Sequence, residues 1–532
     1  MDRRNFLKAS AGLSALAAAG GLATPALSQR AAARTLRLVP YADLANFDPI
    51  WSSAYVARNA GLLVWDMLYG VDTTLTPRRQ MVEAEELSAD GLTWTFRLRP
   101  GLKFHDGEPV LAKDAVASIN RWAAREPMGG MIKAIENELA VIDDRTFRWA
   151  LKKPYPKMLL ALGKLVTPCC FIMPARIAAT DPFKQIKEYV GSGPMRFAKS
   201  EWVPGAKAVF EKFDGYVPRQ EPASWLAGGK NIVVNRIEWI TIADPATASA
   251  ALQNGEIDWL ELVLPDLVPV LRNNRNLTTA INDPLGVVGA LAMNHLLPPF
   301  NDVRARRAIL MALSQEDYMR AVLGDEDSLW KPMPGYFAPG VPLYNEEGGE
   351  ILKGPRRLDI AKRLLTESGY AGEPITLMAA QDIPNHKIWG DLTVDLLQRL
   401  GAKADYAAVD WGTLIARRSQ KLPPSQGGWN MFVTALYGVD CADPTNRFFR
   451  ADGNQPNGWA NSPQVEAEVA AWFDATSAEE ESATARRFNK AALDYVVCAP
   501  LGAFLRHHAW RKDVSGIRPA PFALFWGVNK SA

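Results

Sequence analysis

Strand-like and helix-like hydrophobic periods alternate along the whole chain, with no internal repeat and no Ser- or Pro-rich linker between them. A chain of this kind folds as α/β layers, with sheets covered by helices. At roughly 150 residues per domain, 532 residues give about three or four domain-sized units. Without linkers, those units are not beads on a string. Sheet-bearing lobes interleaved by chain crossings would show this pattern, and so would one very large domain.

The individual periods are explicit. Thr93–Leu98 places Trp94, Phe96 and Leu98 on one face and Thr93, Thr95 and Arg97 on the other. It is entered through Asp90-Gly91 and left through Pro100-Gly101, the pattern of a half-buried strand. Phe147, Trp149 and Leu151 repeat the alternation after Asp143-Asp144. Asp244 before Pro245 predicts a helix N-cap, and Gly255 predicts its end. Asp302 is expected to cap a helix with Ala305, Ala308, Ile309, Ala312 and Leu313 on one face. Leu358 to Leu365 and Ile388 to Leu400 read as helices that stop at Gly369 and Gly401, with a strand-like 402–407 following the second.

Charge narrows the function classes. Sixty basic and 58 acidic side chains nearly balance, which offers no electrostatic footprint for nucleic acid. The N-terminus reads Arg3-Arg4-Asn5-Phe6-Leu7-Lys8, then a nearly uncharged Ala/Gly/Leu stretch to Leu27. A paired arginine before a weakly apolar run resembles a twin-arginine export signal, with cleavage expected after Ser28. Residues 1–28 are therefore read as a signal peptide and the product as periplasmic. Losing Arg3, Arg4, Lys8 and Asp2 leaves 57 basic and 57 acidic side chains, a neutral mature protein. The apolar run Met158–Met173 is broken by Lys164 and Pro168, so no later segment is expected to span a membrane.

Signatures of catalysis and metal binding are missing. There is no G-x-S-x-G, no H-E-x-x-H, no P-loop and no dinucleotide-binding glycine pattern after a strand. Gly228-Gly229-Lys230 reads as a turn. Cys169, Cys170, Cys441 and Cys498 match no zinc spacing and are expected as small buried side chains. The five histidines are scattered except for His507-His508, which on a strand would face opposite ways; surface or interdomain positions are expected for them. His105-Asp106-Gly107 reads as a tight turn. No catalytic residue, metal or cofactor is assigned. Of the 17 tryptophans, Trp411, Trp429, Trp459 and Trp526 sit among turn-forming residues, where an aromatic can line a recess.

Several blocks then belong together. Ser88-Ala89-Asp90-Gly91-Leu92-Thr93-Trp94-Thr95-Phe96-Arg97-Leu98-Arg99-Pro100-Gly101-Leu102-Lys103-Phe104-His105-Asp106-Gly107 is the most specific. Gly191-Ser192-Gly193-Pro194, Leu252 to Asp258, Pro299 to Arg304 and Ala361 to Leu365 support it. Together they resemble the family 5 extracellular solute-binding proteins of ABC importers, the dipeptide/oligopeptide-binding group, over essentially the whole mature chain. The resemblance implies a two-lobed periplasmic-binding-protein fold of the large type II form, with the ligand cleft between the lobes. Lobe I is expected at about 29–286, with an inserted subdomain at about 70–188, and lobe II at 287–499. Residues 500–532 return to lobe I, with hinges near Val287–Asn294 and Ala499–Leu505.

The resemblance also implies ligand contacts and partners. Asp440-Cys441-Ala442-Asp443-Pro444 matches a D-x-x-[DE]-P loop whose first Asp holds a peptide's α-ammonium, and Tyr437 stands where relatives often carry Trp. The ligand-binding candidates are thus Asp440, Tyr437, Trp411, Trp429 and Trp459. The implied function is capture of a peptide or peptide-like solute by a monomer that delivers it to the permease subunits of an ABC transporter. An oligosaccharide stacked on the loop tryptophans, or an exported hydrolase with an unrecognised site, are the other readings the residues leave open.

Overall fold

The computed structural model describes residues 35–531, so the Arg3-Arg4 signal and its cleavage site lie outside the described residues. Two large sheets organise the chain. The first has seven strands in the order Leu277–Ile281, His507–Arg511, Trp259–Val263, Thr35–Val39, Arg236–Ile240, Lys207–Lys212 and Met195–Phe197. Thr35–Val39 runs parallel to both its neighbours. The second has six strands in the order Trp330–Lys331, Ala499–Phe504, Val287–Met293, Met431–Tyr437, Ile375–Ala380 and Ala404–Val409. Its last three strands are parallel, and Val287–Met293 is antiparallel to both its neighbours.

A separate four-stranded antiparallel sheet runs Val82–Leu87, Thr93–Leu98, Thr146–Leu151 and Glu136–Val141. The alternation read from the sequence is what holds it. Trp94 pairs with Trp149 and Phe96 with Phe147 across the ladder, and the two phenyl rings stack 5.1 Å apart. Trp94, Phe96, Leu98, Phe147, Trp149 and Leu151 are all buried.

Helix ends follow the punctuation. The Asp244 carboxylate accepts from the Thr247 amide at the start of Pro245–Asn254, and Gly255 ends that helix at φ +77°. The Asp302 carboxylate caps Val303–Ala312 in the same way. The helix expected from Ile388 starts earlier, as Pro384–Arg399, because Pro384 supplies a first-turn residue that needs no amide partner. His105-Asp106-Gly107 is a turn with Gly107 at φ +93°.

The chain passes between the two large sheets twice. It leaves the seven-stranded sheet after Ile281, crosses through 282–286, and returns through 505–506. The expected hinges Val287–Asn294 and Ala499–Leu505 are, as far as Met293 and Phe504, paired strands inside the six-stranded sheet, and of their residues Leu505 falls in a crossing. Their side chains are buried on both faces, and an extended apolar run of that kind gains more by joining a ladder than by spanning lobes. The two crossings touch each other: a Cβ on Gly286 (φ +64°) would lie 3.0 Å from Leu505 Cδ2.

The histidines depart from expectation. All five are buried, and burial pushes His105 down to about 4 and His295, His386 and His508 down to about 3. His105 shows why. Its Nδ1 accepts from the Gly191 amide while Nε2 donates to the Gly193 carbonyl, so the neutral ring fixes the Gly191–Gly193 loop. All four cysteines are free and buried. Among the described residues no group of three or more His, Cys, Asp or Glu is placed to hold a metal ion, and no helix is long and apolar enough to cross a membrane.

Candidate functional site

Tyr437 ends the strand Met431–Tyr437, and Asp440 follows in the single turn Gly438–Cys441. This turn rests on the first crossing. The Gly438 amide donates to the Gly286 carbonyl at 2.7 Å, and a Cβ on Gly438 would lie 2.1 Å from the Leu285 oxygen. Only a glycine lets the six-stranded half bring its carboxylate so close to the crossing.

Across the junction stands Arg58, on the helix Tyr55–Val64 of the other half. Its Nη1 lies 3.4 Å from Asp440 Oδ1, with the two side chains 0% and 1% exposed. Nη1 also donates to the Leu165 carbonyl, and Nε and Nη2 donate to Asn59 Oδ1. The guanidinium is stacked against three rings: Phe522 at 4.5 Å, Tyr55 at 4.8 Å and Tyr437 at 5.2 Å. Burial raises the Asp440 carboxyl above its ordinary value, and Arg58, the Tyr55 hydroxyl and Lys164 only partly oppose this. For Arg58, burial acts downward, but Asp440 and lesser contributions from Cys169 and Tyr437 leave it above its usual value.

The site is polar in excess of its own needs. Asp440 Oδ2 and the Tyr437 hydroxyl are buried with no hydrogen bond among the described residues, and so is Asp283 Oδ2 within the first crossing. Buried polar atoms of this kind normally have a partner. Burial pushes the Asp283 carboxyl up to about 7 against the pull of Arg506, whose guanidinium lies over the Tyr437 ring at 5.4 Å. Burial likewise pushes the Tyr437 hydroxyl up to about 12. Asp440's carboxylate does not organise its own loop. That is done by its backbone carbonyl, which accepts from Asn446 Nδ2, and by Asp443, which accepts from the Thr445 amide.

Further contacts join the two halves outward from this point. Lys164 Nζ donates to Thr445 Oγ1 at 2.6 Å and pairs with Glu126 at 3.3 Å. Arg447 Nη2 donates to the Arg125 carbonyl at 2.7 Å. Lys157 donates to the Ala475 carbonyl and pairs with Glu481. Contacts between the halves thus run from the crossings to Lys157 and on to Lys153, whose Nζ lies 3.9 Å from Asp474 Oδ1. Surface recesses of about 350 Å³ beside Arg486 and Lys490 and about 450 Å³ beside Tyr189, Arg196 and Lys199 contain neither Asp440 nor Tyr437 in their linings.

Of the sequence candidates, the structure brings together Asp440 and Tyr437 and separates the tryptophans from them. Trp429 precedes Met431, at the opposite end of the strand from Tyr437, and six steps along a strand span about 20 Å. Trp429 is fully buried, packs on Phe432 and Trp459, and donates Nε1 to the Arg418 carbonyl. Trp459 is buried against it, with the Lys421 ammonium 5.7 Å from its ring. Trp411 is half-buried against His386 at 5.1 Å and opens the helix Trp411–Arg418, which follows the strand Ala404–Val409, two places from Met431–Tyr437 in the sheet. Trp526 is buried, with Nε1 on the Trp225 carbonyl. Glycine and asparagine neighbours suggested loops, but these rings fill cores under loops. Arg58 and Lys164 were missed. Each is a cation inside an apolar run, and Lys164 was visible as the residue that interrupts Met158–Met173.

Comparison with known proteins places this arrangement in context. The family described as bacterial extracellular solute-binding proteins, family 5 Middle, matches residues 76–459. A probable peptide ABC transporter periplasmic-binding protein of Sinorhizobium fredii is 35% identical over 542 aligned positions, covering 100% of both chains. The glutathione-binding protein GsiB of Escherichia coli K12 is 26% identical, over 78% of this chain and 77% of its own. Among solved structures, DppA of Helicobacter pylori in complex with the peptide STSA superposes with a TM-score of 0.78 at 21% identity, covering 94% of this chain and 98% of that one. AgaA in complex with agropinic acid gives 0.78 at 20% identity, covering 94% and 99%. These two likenesses show a shared two-lobed α/β fold.

Proposed function

The chain belongs to the bacterial extracellular solute-binding proteins of family 5, and from that premise we propose that it captures a peptide or peptide-like polar solute and delivers it to an ABC permease. Relatives whose names specify a peptide or glutathione support the peptide class. In this reading the seven-stranded and six-stranded sheets are the cores of lobes I and II. The four-stranded sheet is the core of the subdomain inserted in lobe I, and 282–286 and 505–506 are the hinges.

The observation that carries the reading is the buried polar seam. Arg58 and Asp440 come from opposite sides of the junction and meet in an apolar, aromatic setting beside the crossings. Such a seam forms only when the halves close. A solute touching both halves has differential affinity for the closed form and so drives closure. The reading includes capture without turnover, by a monomer. The oligosaccharide alternative loses its support with Trp429 and Trp459 in the core. Export through the twin-arginine route, with the mature protein free in the periplasm, belongs to the same reading and rests on Arg3-Arg4 and the weakly apolar run after them.

One experiment tests both parts. Cells expressing the full chain, or its Arg3→Lys/Arg4→Lys variant, are fractionated. The parent should appear in the periplasm and the variant should not; equal export overturns the route. Periplasmic protein is then denatured, and released solutes are identified by mass spectrometry. A solute present at 100 times its dissociation constant should stabilise the protein by about 2.7 kcal/mol without being consumed. Turnover of the solute would replace the binding reading with an enzymatic one.

A further inference from the structure

Arg58 is fastened to its own half of the molecule independently of Asp440. Nη1 donates to the Leu165 carbonyl at 3.0 Å, and Nε and Nη2 donate to Asn59 Oδ1 at 3.2 and 3.1 Å. The Tyr55 and Phe522 rings, 4.8 and 4.5 Å from the guanidinium, belong to the same half. Asp440 and Tyr437 come from the other half. The contacts that hold Arg58 within its own half do not need closure, so its charge stands at the junction before Asp440 arrives.

Asp440 has one oxygen to spare. Oδ1 faces Arg58 at 3.4 Å, while Oδ2 is buried with no hydrogen bond among the described residues. The Tyr437 hydroxyl is in the same state. Buried oxygens without partners point to a group that arrives from outside the chain. Charge decides which kind of group that is.

The Arg58–Asp440 pair is already neutral. Lys164 and Asp443, which also act on Asp440, serve each other through Thr445, whose hydroxyl accepts from Lys164 Nζ and donates to Asp443. Lys164 pairs with Glu126 as well, at 3.3 Å. Beside the crossings, Arg506 acts on both Asp283 and Glu261, and burial raises these two carboxyls, which favours their neutral forms. An ammonium set against Asp440 Oδ2 would add a second buried positive charge beside a fixed guanidinium. An uncharged N–H makes a hydrogen bond to the same oxygen and adds no charge.

We propose that Arg58 sets the specificity of this end of the cleft: Asp440 Oδ2 takes an uncharged N–H of the solute, such as that of an acylated N-terminus, and a free α-ammonium is turned away. This deepens the solute-binding reading above and rests on it. The chain's own guanidinium stands where the loop spacing suggested a ligand ammonium, so closure brings Asp440 to a cation that is already present.

The test uses full-length periplasmic protein. Probes are a pool of Ala-Xaa dipeptides, each with a free amine and as its N-acetyl form. Solutes released on denaturation are identified in parallel. We expect a released solute without an α-ammonium, and at least one N-acetyl dipeptide that raises the melting temperature. Its free-amine counterpart should bind at least about tenfold more weakly. Arg58→Met should reverse that order, because Asp440 is then left without a cation and the free amine supplies one. Arg58→Met/Asp440→Asn should lose the reversal, which a general loosening of the site would not remove. Arg58→Lys keeps the charge and should keep the parent's preference, so it tests the same point if the Met variant does not fold. Where no dipeptide binds, the released solute alone decides. A released solute with an α-ammonium, equal or tighter binding of free amines by the parent, or an unreversed order in folded Arg58→Met protein would overturn the proposal and leave solute binding standing. No released solute and no stabilisation by any probe would overturn the solute-binding reading, and this proposal with it.

Discussion

Arg58 and Asp440 are each buried where an isolated charge would be heavily penalised, so removing one partner leaves the other uncompensated. Because they sit on opposite sides of the junction, that penalty falls on the closed form. Arg58→Met and Asp440→Asn should each weaken solute binding by about 2–5 kcal/mol. The double variant should weaken it by less than the sum, with a coupling of at least about 1.5 kcal/mol. Calorimetry on the four proteins measures this, with the solute released from the parent as titrant. Additive losses, within about 0.5 kcal/mol, would mean that the pair is not made in the bound state. The two residues differ in how visible they were. Asp440 sits in a loop with a recognisable spacing, so its position could be read directly. Arg58 lies in Tyr55–Val64, a helix buried almost throughout, and nothing local says whether such a cation faces an acid, a ring or a ligand. Its partner is 382 residues away.

Elements were legible where one physical signal decided them. The alternation of Trp94, Phe96 and Leu98 fixes a strand because the opposite register would bury Thr93, Thr95 and Arg97. Asp244 and Gly255 fix helix ends because their side chains, or the lack of one, solve a local problem. The strands Val287–Met293 and Ala499–Phe504 occupy most of the two expected hinges because continuous apolar segments carry no period, and only ladder partners far along the chain define them. The Gly191-Ser192-Gly193-Pro194 block was legible as a motif, but its role is one of contact. A Cβ on Gly191 would lie 1.8 Å from the Val64 carbonyl oxygen, and one on Gly193 2.7 Å from that of Leu63. The loop lies directly on the end of the Arg58 helix. Gly191→Ala should therefore destabilise the protein by about 1–3 kcal/mol or more through overpacking. Gly101, at φ +78° with nothing within 4 Å of a Cβ, meets only backbone strain, and Gly101→Ala should cost about 1 kcal/mol. Thermal or urea unfolding compares them; equal losses would mean that the Gly191 contact relaxes freely.

At the scale of the whole molecule, burying neutral histidines makes stability depend on pH. His105, held at about 4, and His295, His386 and His508, held at about 3, stay neutral in the fold well below the pH at which an unfolded chain protonates them. Their folded values are depressed, so between about pH 6.5 and 4 the unfolded state binds more protons and stability falls as pH falls. Each such group contributes up to about 1.4 kcal/mol per pH unit. Asp283 acts with the opposite sign. Its folded value is raised to about 7, so acidification protonates it in the fold before the unfolded chain and relieves part of its burial penalty, while Arg506, the Leu285 and Gly286 amides and Asp440 surround it. The histidines, His507 included, and the raised carboxyls Asp283, Asp440 and Glu261 thus pull stability in opposite directions as pH falls from 7 to 5. His386 isolates one contribution cleanly, since burial alone shifts it and its neighbours are the Trp389 and Trp411 rings at 6.2 and 5.1 Å. A phenyl ring keeps those contacts and cannot take a proton. His386→Phe should narrow the gap between the unfolding free energies at pH 7 and pH 5 by about 2 kcal/mol, that is, about 1.4 kcal/mol per unit over the 1.5 units below 6.5. Urea titrations of parent and variant at both pH values measure the gap. Parallel pH dependence in the two proteins would mean that His386 is solvated enough to protonate in the fold.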